Sequence, residues 1–189
     1  LQFYRNERDR VFFVTGEMDE TLLILVRFIM KYNILDKDKK IEDRTPIKVY
    51  IDTIGGSLIY LWTVINVIKL SKTPVWTVNI GNAFSAGAWL IQSGHKRFAL
   101  PGTNFLLHNG SCLIGGQVDQ AESLKKYVDE IRKKILDNMY QRTVIDTKTF
   151  KKKAISDWYF DENEALQIGV IDKIVEDFNY EINNEKSQA

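Results

Sequence analysis

Residues 47–80 read IKVYIDTIGGSLIYLWTVINVIKLSKTPVWTVNI and describe one strand–helix–strand unit. β-Branched and aromatic residues over 47–51 predict a strand, which the pair Gly55-Gly56 is expected to end. Apolar residues then recur at helical spacing, at Leu58, Leu61, Trp62, Ile65 and Ile68. Pro74 opens a further strand over 75–80. Two strands joined by a crossover helix predict parallel pairing.

The same alternation continues on both sides of this unit. A strand is predicted over 11–14, and Asp19 is expected to cap the helix that follows. Gly81 is expected to end the strand over 75–80, and a helix of small residues begins near Ser85. Short strands follow at 98–100 and 105–107, and a C-terminal segment has Trp158-Tyr159-Phe160, a short helix over 163–167 and an apolar run over 170–175. The pattern predicts an α/β fold with a mainly parallel sheet.

A long helix is predicted over residues 117–142. Its apolar face comprises Leu124, Val128, Ile131 and Ile135. At 1.5 Å per residue it would be about 39 Å long, which exceeds what a compact domain of this size needs. We therefore expect the helix to project from the body and to contact another chain. The alternative is a helix that lies along the core of its own chain.

The composition is that of a globular protein. The chain has 189 residues, of which 44% are hydrophobic and 27% are charged, and one domain is the default expectation. The net charge of +1 gives no global positive field, so we expect no non-specific binding to nucleic acid or to anionic membranes.

Cysteine, histidine and apolar runs restrict the site and the compartment. One cysteine and two histidines exclude an intramolecular disulfide and most zinc sites, so no metal is expected. The longest apolar stretch, 22–30, contains Arg27 and is shorter than the roughly 20 residues of a membrane span. No signal peptide precedes the first charged residues, and we expect a cytoplasmic location.

Ser85 and His108 are candidates for nucleophilic chemistry. Ser85 lies among small residues at a helix start, where the helix dipole favours negative charge, although a plain N-cap role stays open. His108 follows Phe105-Leu106-Leu107 and should emerge from the core at a strand end as a general base or as a structural histidine. His95 lies in a charged turn and is expected to be exposed.

Two further elements of such a site are less well defined. The carboxylate that would orient His108 could come from Asp157, Asp161, Asp146 or Asp52, and spacing does not choose among them. Gly56 could expose a backbone N–H to an oxyanion, although a tight turn is the alternative interpretation.

Five blocks in order along the chain resemble the proteolytic subunit of the Clp protease. They are Gly55-Gly56-Ser57, residues 81–88, residues 96–101, Leu107-His108 and residues 164–172. The resemblance runs from about Tyr4 to Val175 and implies a Clp/crotonase-type ββα spiral head with a protruding handle helix, in one domain. The head would comprise about 4–110 and 143–177, the handle about 111–142, and the polar tail 178–189.

The resemblance also implies the roles of individual residues. Ser85 would be the nucleophile, His108 the general base and Asp157 the orienting carboxylate. The backbone N–H groups of Gly56 and Ala86 would form the oxyanion hole. Substrate-binding positions would be Gly55, Ser57, Leu58 and Ser111.

The function implied is that of a serine endopeptidase that cleaves peptides and unfolded proteins inside an oligomeric barrel. The partners would be further copies in a heptameric ring, stacked as a tetradecamer, together with paralogous ring subunits and an AAA+ Clp unfoldase. ATP would be hydrolysed by the unfoldase, because this chain has no phosphate loop, and no cofactor is expected here.

Two alternatives stay open, and departures from the family pattern support the first of them. The departures are Thr53-Ile54 before the glycines, Asn109-Gly110 after the histidine and Ile155-Ser156 before Asp157, and they suit a phage-encoded or accessory paralogue. One alternative is a catalytically impaired ring subunit, and the other is a crotonase-like acyl-CoA enzyme with the same fold.

Overall fold

The computed structural model describes residues 5–6, 9–110 and 117–177. The strands are β1 (Arg5–Asn6), β2 (Val11–Met18), β3 (Ile47–Gly56), β4 (Val75–Phe84), β5 (Lys96–Ala99), β6 (Asn104–Leu107), β7 (Trp158–Asp161) and β8 (Lys173–Ile174). The α-helices are α1 (Leu22–Leu35), α2 (Leu58–Leu70), α3 (Ala86–Ser93), α4 (Val118–Arg142), α5 (Thr147–Lys153) and α6 (Glu162–Gln167), with a 3-10 turn at Ile41–Asp43. Ser111 and the tail 178–189 lie outside the described residues.

The sheet is mainly parallel, as the strand–helix alternation predicts. Its strand order is β1-β2-β3-β4-β5-β8, and β6 also pairs with β4. The pairings from β2 through to β8 are parallel, whereas β1 is antiparallel to β2 and β7 is antiparallel to β6. The α/β prediction is confirmed.

Two apolar clusters lie against this sheet. The larger one joins buried strand residues such as Val49 and Phe105 to buried helix residues such as Leu61 and Trp89. The smaller one is made of Tyr50, Trp76, Val78, Phe98 and Val175. The helices therefore cover the face of the sheet that carries the larger cluster.

Several predicted boundaries were wrong. β2 continues to Met18, whereas the sequence predicted its end at residue 14. β3 continues through Gly56 and β4 through Phe84, because Met18 pairs with Gly56 and Thr53 with Ala83, so the ladder satisfies the backbone groups of both extensions. Gly55, Gly56 and Gly81 therefore belong to the strands that they were expected to end. Asp19 does not cap α1, since the helix begins after Thr21 and the Asp19 carboxylate accepts from the Thr21 N–H at 2.9 Å.

The long helix is confirmed as α4, but its apolar face is divided. Ile131 and Ile135 are fully buried in the core of their own chain, so they cannot serve a contact with another chain. Leu124 is 44% exposed, and residues 118–130 lie mostly in solvent. Within the described ranges, no helix is both long and apolar enough to cross a membrane.

Arg97 fastens the C-terminal segment to the sheet. Its guanidinium pairs with Asp172 and donates to the carbonyls of Gly169, at 2.5 Å, and Arg142, at 3.0 Å. The backbone N–H of Arg97 also donates to the Asp172 carboxylate at 2.8 Å. Two of the five sequence blocks are thus joined by one buried cation.

Asp36 is a fully buried carboxylate at the end of α1. Arg10 pairs with it, Lys39 lies 2.9 Å away, and the Thr73 hydroxyl donates to it at 3.3 Å. Hydrogen bonding from Arg10, with a further contribution from Lys39, holds the pKa of Asp36 well below its usual range.

We predict that Asp36 contributes stability that acid removes. Because its pKa is lower in the folded than in the unfolded chain, this stability is present above the unfolded value of about 3.9 and is lost as the pH falls towards the folded value. Asp36→Asn should lower the free energy of unfolding at pH 7 by about 2 kcal/mol, since it leaves Arg10 without a charged partner. Urea unfolding between pH 3 and pH 7 measures both effects.

The matched control is Asp38→Asn, at an exposed aspartate of the same segment. It should leave the stability and its pH dependence close to those of the unaltered chain. Equal pH dependence of unfolding in the Asp36 and Asp38 variants would contradict this assignment.

Candidate active site

Ser85 is held in an unusual backbone conformation between β4 and α3. Its φ of 54° and ψ of −117° are rare for a residue with a side chain, and such strain costs roughly 1–3 kcal/mol. The hydroxyl makes no capping bond to α3. Instead, Ser85 Oγ lies 2.7 Å from His108 Nε2. The N-cap interpretation of this side chain was therefore wrong.

His108 reaches Ser85 because their strands are neighbours. Phe84 at the end of β4 pairs with Leu106 of β6, and the Ser85 N–H donates to the Leu106 carbonyl at 2.8 Å. Since parallel strands have their carboxyl ends at the same edge, the residues that follow β4 and β6 meet there. The His108 side chain is 22% exposed, so it is accessible from solvent.

Asp157 lies beside His108 through the antiparallel pairing of β6 with β7. Leu107 pairs with Trp158, which places the preceding Asp157 next to the following His108. Asp157 Oδ1 is 3.8 Å from His108 Nδ1, which is longer than a hydrogen bond. The carboxylate is 54% exposed.

The other candidate carboxylates have local partners. Asp146 accepts from the Thr149 N–H at 2.6 Å and caps α5, and Asp161 accepts from the Glu164 N–H at 2.8 Å and caps α6. Asp52 accepts from the Asn82 N–H at 2.8 Å. Among the four aspartates that the sequence left open, the structure brings Asp157 to His108.

The remaining histidine lies in the turn before β5. His95 is exposed, as predicted, and its Nδ1 accepts from the Val75 N–H at 2.9 Å. Within the described ranges, no group of three or more His, Cys, Asp or Glu side chains is arranged to hold a metal ion.

The glycine pair lets β3 approach the start of α3. Gly55 has a φ of +100°, and a Cβ there would lie 2.8 Å from Ser85 Cβ and 3.1 Å from the Ala86 nitrogen. A Cβ on Gly56 would lie 2.7 Å from the Met18 nitrogen. Any side chain at residue 55 would thus cover the N–H of Ala86, one of the first helical N–H groups, which have no acceptor within the helix.

A bulge before the glycines is held by Thr53, a residue whose role sequence reasoning missed. Gly16 pairs with Thr53 and Glu17 with Gly55, so Ile54 is the extra residue on β3. The buried Thr53 hydroxyl donates to the Gly16 carbonyl and accepts from the Gly55 N–H, the latter at 3.1 Å. A hydroxyl residue two positions before a glycine pair was the available signal, although it was interpreted as a departure from the family pattern.

A cleft of about 460 Å³ opens beside Ser85 and His108. Its lining residues are Glu17, Ile54, Gly55, Gly56, Leu58, Ser85, Trp89, Leu106, His108 and Gly110. Gly55 and Leu58, which the resemblance places at substrate-binding positions, are among them. Ser57 is not, and its backbone N–H donates to the Met18 carbonyl at 2.7 Å. Sequence reasoning missed Glu17 and Trp89.

The long helix also touches the site. Arg132 of α4 donates through Nη2 to the Asn109 side-chain oxygen at 2.6 Å. Asn109 directly follows His108 and is one of the departures from the family pattern. The departure therefore supplies a hydrogen bond between α4 and the loop that carries the histidine.

Comparison with known proteins relates this arrangement to a family. The profile of the Clp protease family matches residues 3–178. A curated relative, the ATP-dependent Clp protease proteolytic subunit of Deinococcus radiodurans, is 25% identical over 171 residues, which cover 89% of this chain and 81% of the relative. The resemblance inferred from the five sequence blocks is confirmed, and the chain belongs to the Clp protease family.

Proposed function

We propose that the chain is a serine endopeptidase with Ser85 as its nucleophile. The observation that carries this proposal is the 2.7 Å contact between Ser85 Oγ and His108 Nε2, made by a serine with a strained backbone whose hydroxyl makes no capping bond to α3. Strain of this kind is concentrated at functional sites. Family membership supports the same chemistry.

In the proposed mechanism, His108 acts first as a base and then as an acid. Its Nε2 takes the Ser85 proton as Oγ attacks the scissile carbonyl carbon, and it returns that proton to the leaving amine. Water then hydrolyses the acyl-enzyme by the reverse sequence. Asp157 stabilises the imidazolium and fixes its tautomer, for which its carboxylate must move about 1 Å closer to reach hydrogen-bond length.

The oxyanion that forms in this reaction needs preorganised donors. The backbone N–H groups of Gly56 and Ala86 are proposed for this role, since Gly56 lines the cleft and the absence of a side chain at Gly55 leaves the Ala86 N–H uncovered. Removing one such donor in serine peptidases costs about 3 kcal/mol of transition-state stabilisation.

One observation favours the second candidate function, a catalytically impaired ring subunit. The 3.8 Å between His108 Nδ1 and Asp157 Oδ1 leaves the imidazole without its orienting hydrogen bond in this conformation. In that function the chain would retain assembly but would not turn over substrate.

We further propose assembly into a heptameric ring, with two rings stacked through the exposed part of α4. Leu124 and Val128 remain available on that helix for contact with another chain, whereas Ile131 and Ile135 are already buried. An enclosed chamber would admit peptides and unfolded chains delivered by a partner Clp unfoldase.

We predict that Ser85→Ala abolishes peptide hydrolysis, by about 10⁶-fold, and also abolishes covalent labelling by a fluorophosphonate. His108→Gln should lose both as well. Ser156→Ala, at an exposed serine beside Asp157, should keep both and serves as the matched control. If the unaltered chain forms rings that the fluorophosphonate does not label, the chain is instead the catalytically impaired ring subunit. Circular dichroism establishes that each variant is folded.

We predict that the Thr53 hydroxyl positions the glycine loop for catalysis. Thr53→Val keeps the shape but removes both hydrogen bonds, and it should lower kcat by about tenfold with a smaller change in KM, because the oxyanion donor at Gly56 is misplaced. Thr53→Ser keeps the hydroxyl and should retain most of the activity. Equal kcat values for the two variants would argue against this role.

We predict that Leu124→Asp combined with Val128→Asp leaves single rings but no stacked rings. Two charges on the exposed half of α4 would oppose its burial against another ring, and both sites avoid the buried core. The control, Ser123→Asp with Lys126→Gln, makes the same change in net charge on another face of the helix. Sedimentation velocity resolves the species, and a monomeric unaltered chain at tens of micromolar would contradict the assembly.

A further inference from the structure

The cleft beside Ser85 contains one acidic side chain that the proposed mechanism does not use. Glu17 lies near the end of β2, is exposed and lines the cleft together with the glycine pair. Within the described ranges, its carboxylate has no hydrogen-bond or ion-pair partner.

The strand register explains why Glu17 is close to the reaction centre. Glu17 pairs with Gly55, and a Cβ added to Gly55 would lie 2.8 Å from Ser85 Cβ. Adjacent strands are about 4.8 Å apart, so the backbone of Glu17 lies one strand beyond the strand that touches the nucleophile. The bulge at Ile54 interrupts the ladder at this point, and bulges near active sites commonly redirect side chains.

The other lining residues leave the charge of Glu17 unopposed. The walls are largely apolar, with Ile54, Leu58, Trp89 and Leu106, and none of the lining residues that the structure describes is lysine or arginine. Low-dielectric walls focus the field of a charge within a cleft. A substrate group with a positive charge would therefore be attracted to this end of the cleft, and a negative one would be repelled.

We infer that Glu17 determines specificity by selecting peptides with a positive charge beside the scissile bond. The charge can be a lysine or arginine side chain, or the free amino terminus of a short peptide. This inference rests on the proposed peptidase function and adds a substrate class to it.

The test compares two internally quenched peptides that differ only by lysine or norleucine beside the scissile bond, with both termini blocked. The unaltered chain should show a kcat/KM about threefold to fivefold higher for the lysine peptide, the size expected of a partly exposed ion pair, and less in high salt. Glu17→Gln should bring the ratio of the two peptides to about one, and Glu17→Lys should invert it. Mass spectrometry of the products identifies the bond that is cut.

Two controls separate charge selection from general damage to the site. Glu20→Gln, at an exposed glutamate outside the lining of the cleft, should keep the ratio of the unaltered chain. A norleucine peptide with a free amino terminus distinguishes the two sources of charge. A preference for the lysine side chain or for the free amino terminus supports the inference if Glu17→Gln removes that preference. Equal cleavage rates for all the peptides would overturn the role of Glu17 but would not contradict the peptidase function.

If no peptide is cleaved, the proposed peptidase function is contradicted, and the role of Glu17 is then tested by a binding measurement. Fluorescence anisotropy with the Ser85→Ala chain should show tighter binding of the lysine peptide than of the norleucine peptide. Adding Glu17→Gln should remove that difference. Equal dissociation constants for the two peptides in the Ser85→Ala chain would overturn the role of Glu17 independently of catalysis.

Discussion

At the start of α3, β3 passes so close to Ser85 that residue 55 has no room for a side chain. A Cβ added to Gly55 would lie 2.7 Å from the Phe84 carbonyl oxygen and 2.8 Å from Ser85 Cβ. This contact holds Ser85 against the cleft, leaves the Ala86 N–H uncovered and requires the positive φ that glycine permits. Thr53 fixes the same contact from behind, since its hydroxyl bonds both to β2 and to the Gly55 N–H.

β6 is the strand that brings the three polar side chains together. It pairs with β4 on one side, which places His108 beside Ser85, and with β7 on the other, which places Asp157 beside His108. The two contacts differ in length, 2.7 Å against 3.8 Å. The contact between Ser85 and His108 is the shorter one because the Ser85 backbone N–H is hydrogen-bonded to the Leu106 carbonyl, whereas Asp157 is half-exposed.

α4 connects the body of the protein to the candidate site. Its C-terminal half is part of the core, and Arg132, at the border with the exposed half, bonds to the residue after His108. A change in the position of α4 would therefore move the loop that carries His108 and Asn109. The acceptor of this bond is the side-chain oxygen of Asn109, one of the departures from the family pattern.

Local sequence was sufficient for the main strands and helices of the α/β pattern, for Ser85 and His108 as candidates, and for the family, but not for several strand ends or for α5. Apolar periodicity, small residues and strand ends are local features, and five ordered blocks carry the resemblance. Tertiary structure decided what depends on register between distant segments. The pairing of Leu107 with Trp158 selected Asp157 over three other aspartates, and packing of Ile131 and Ile135 divided the face of α4. The pairing of Glu17 with Gly55 placed Glu17 at the cleft. No local pattern encodes these contacts, because each depends on how separate strands and helices pair and pack after folding.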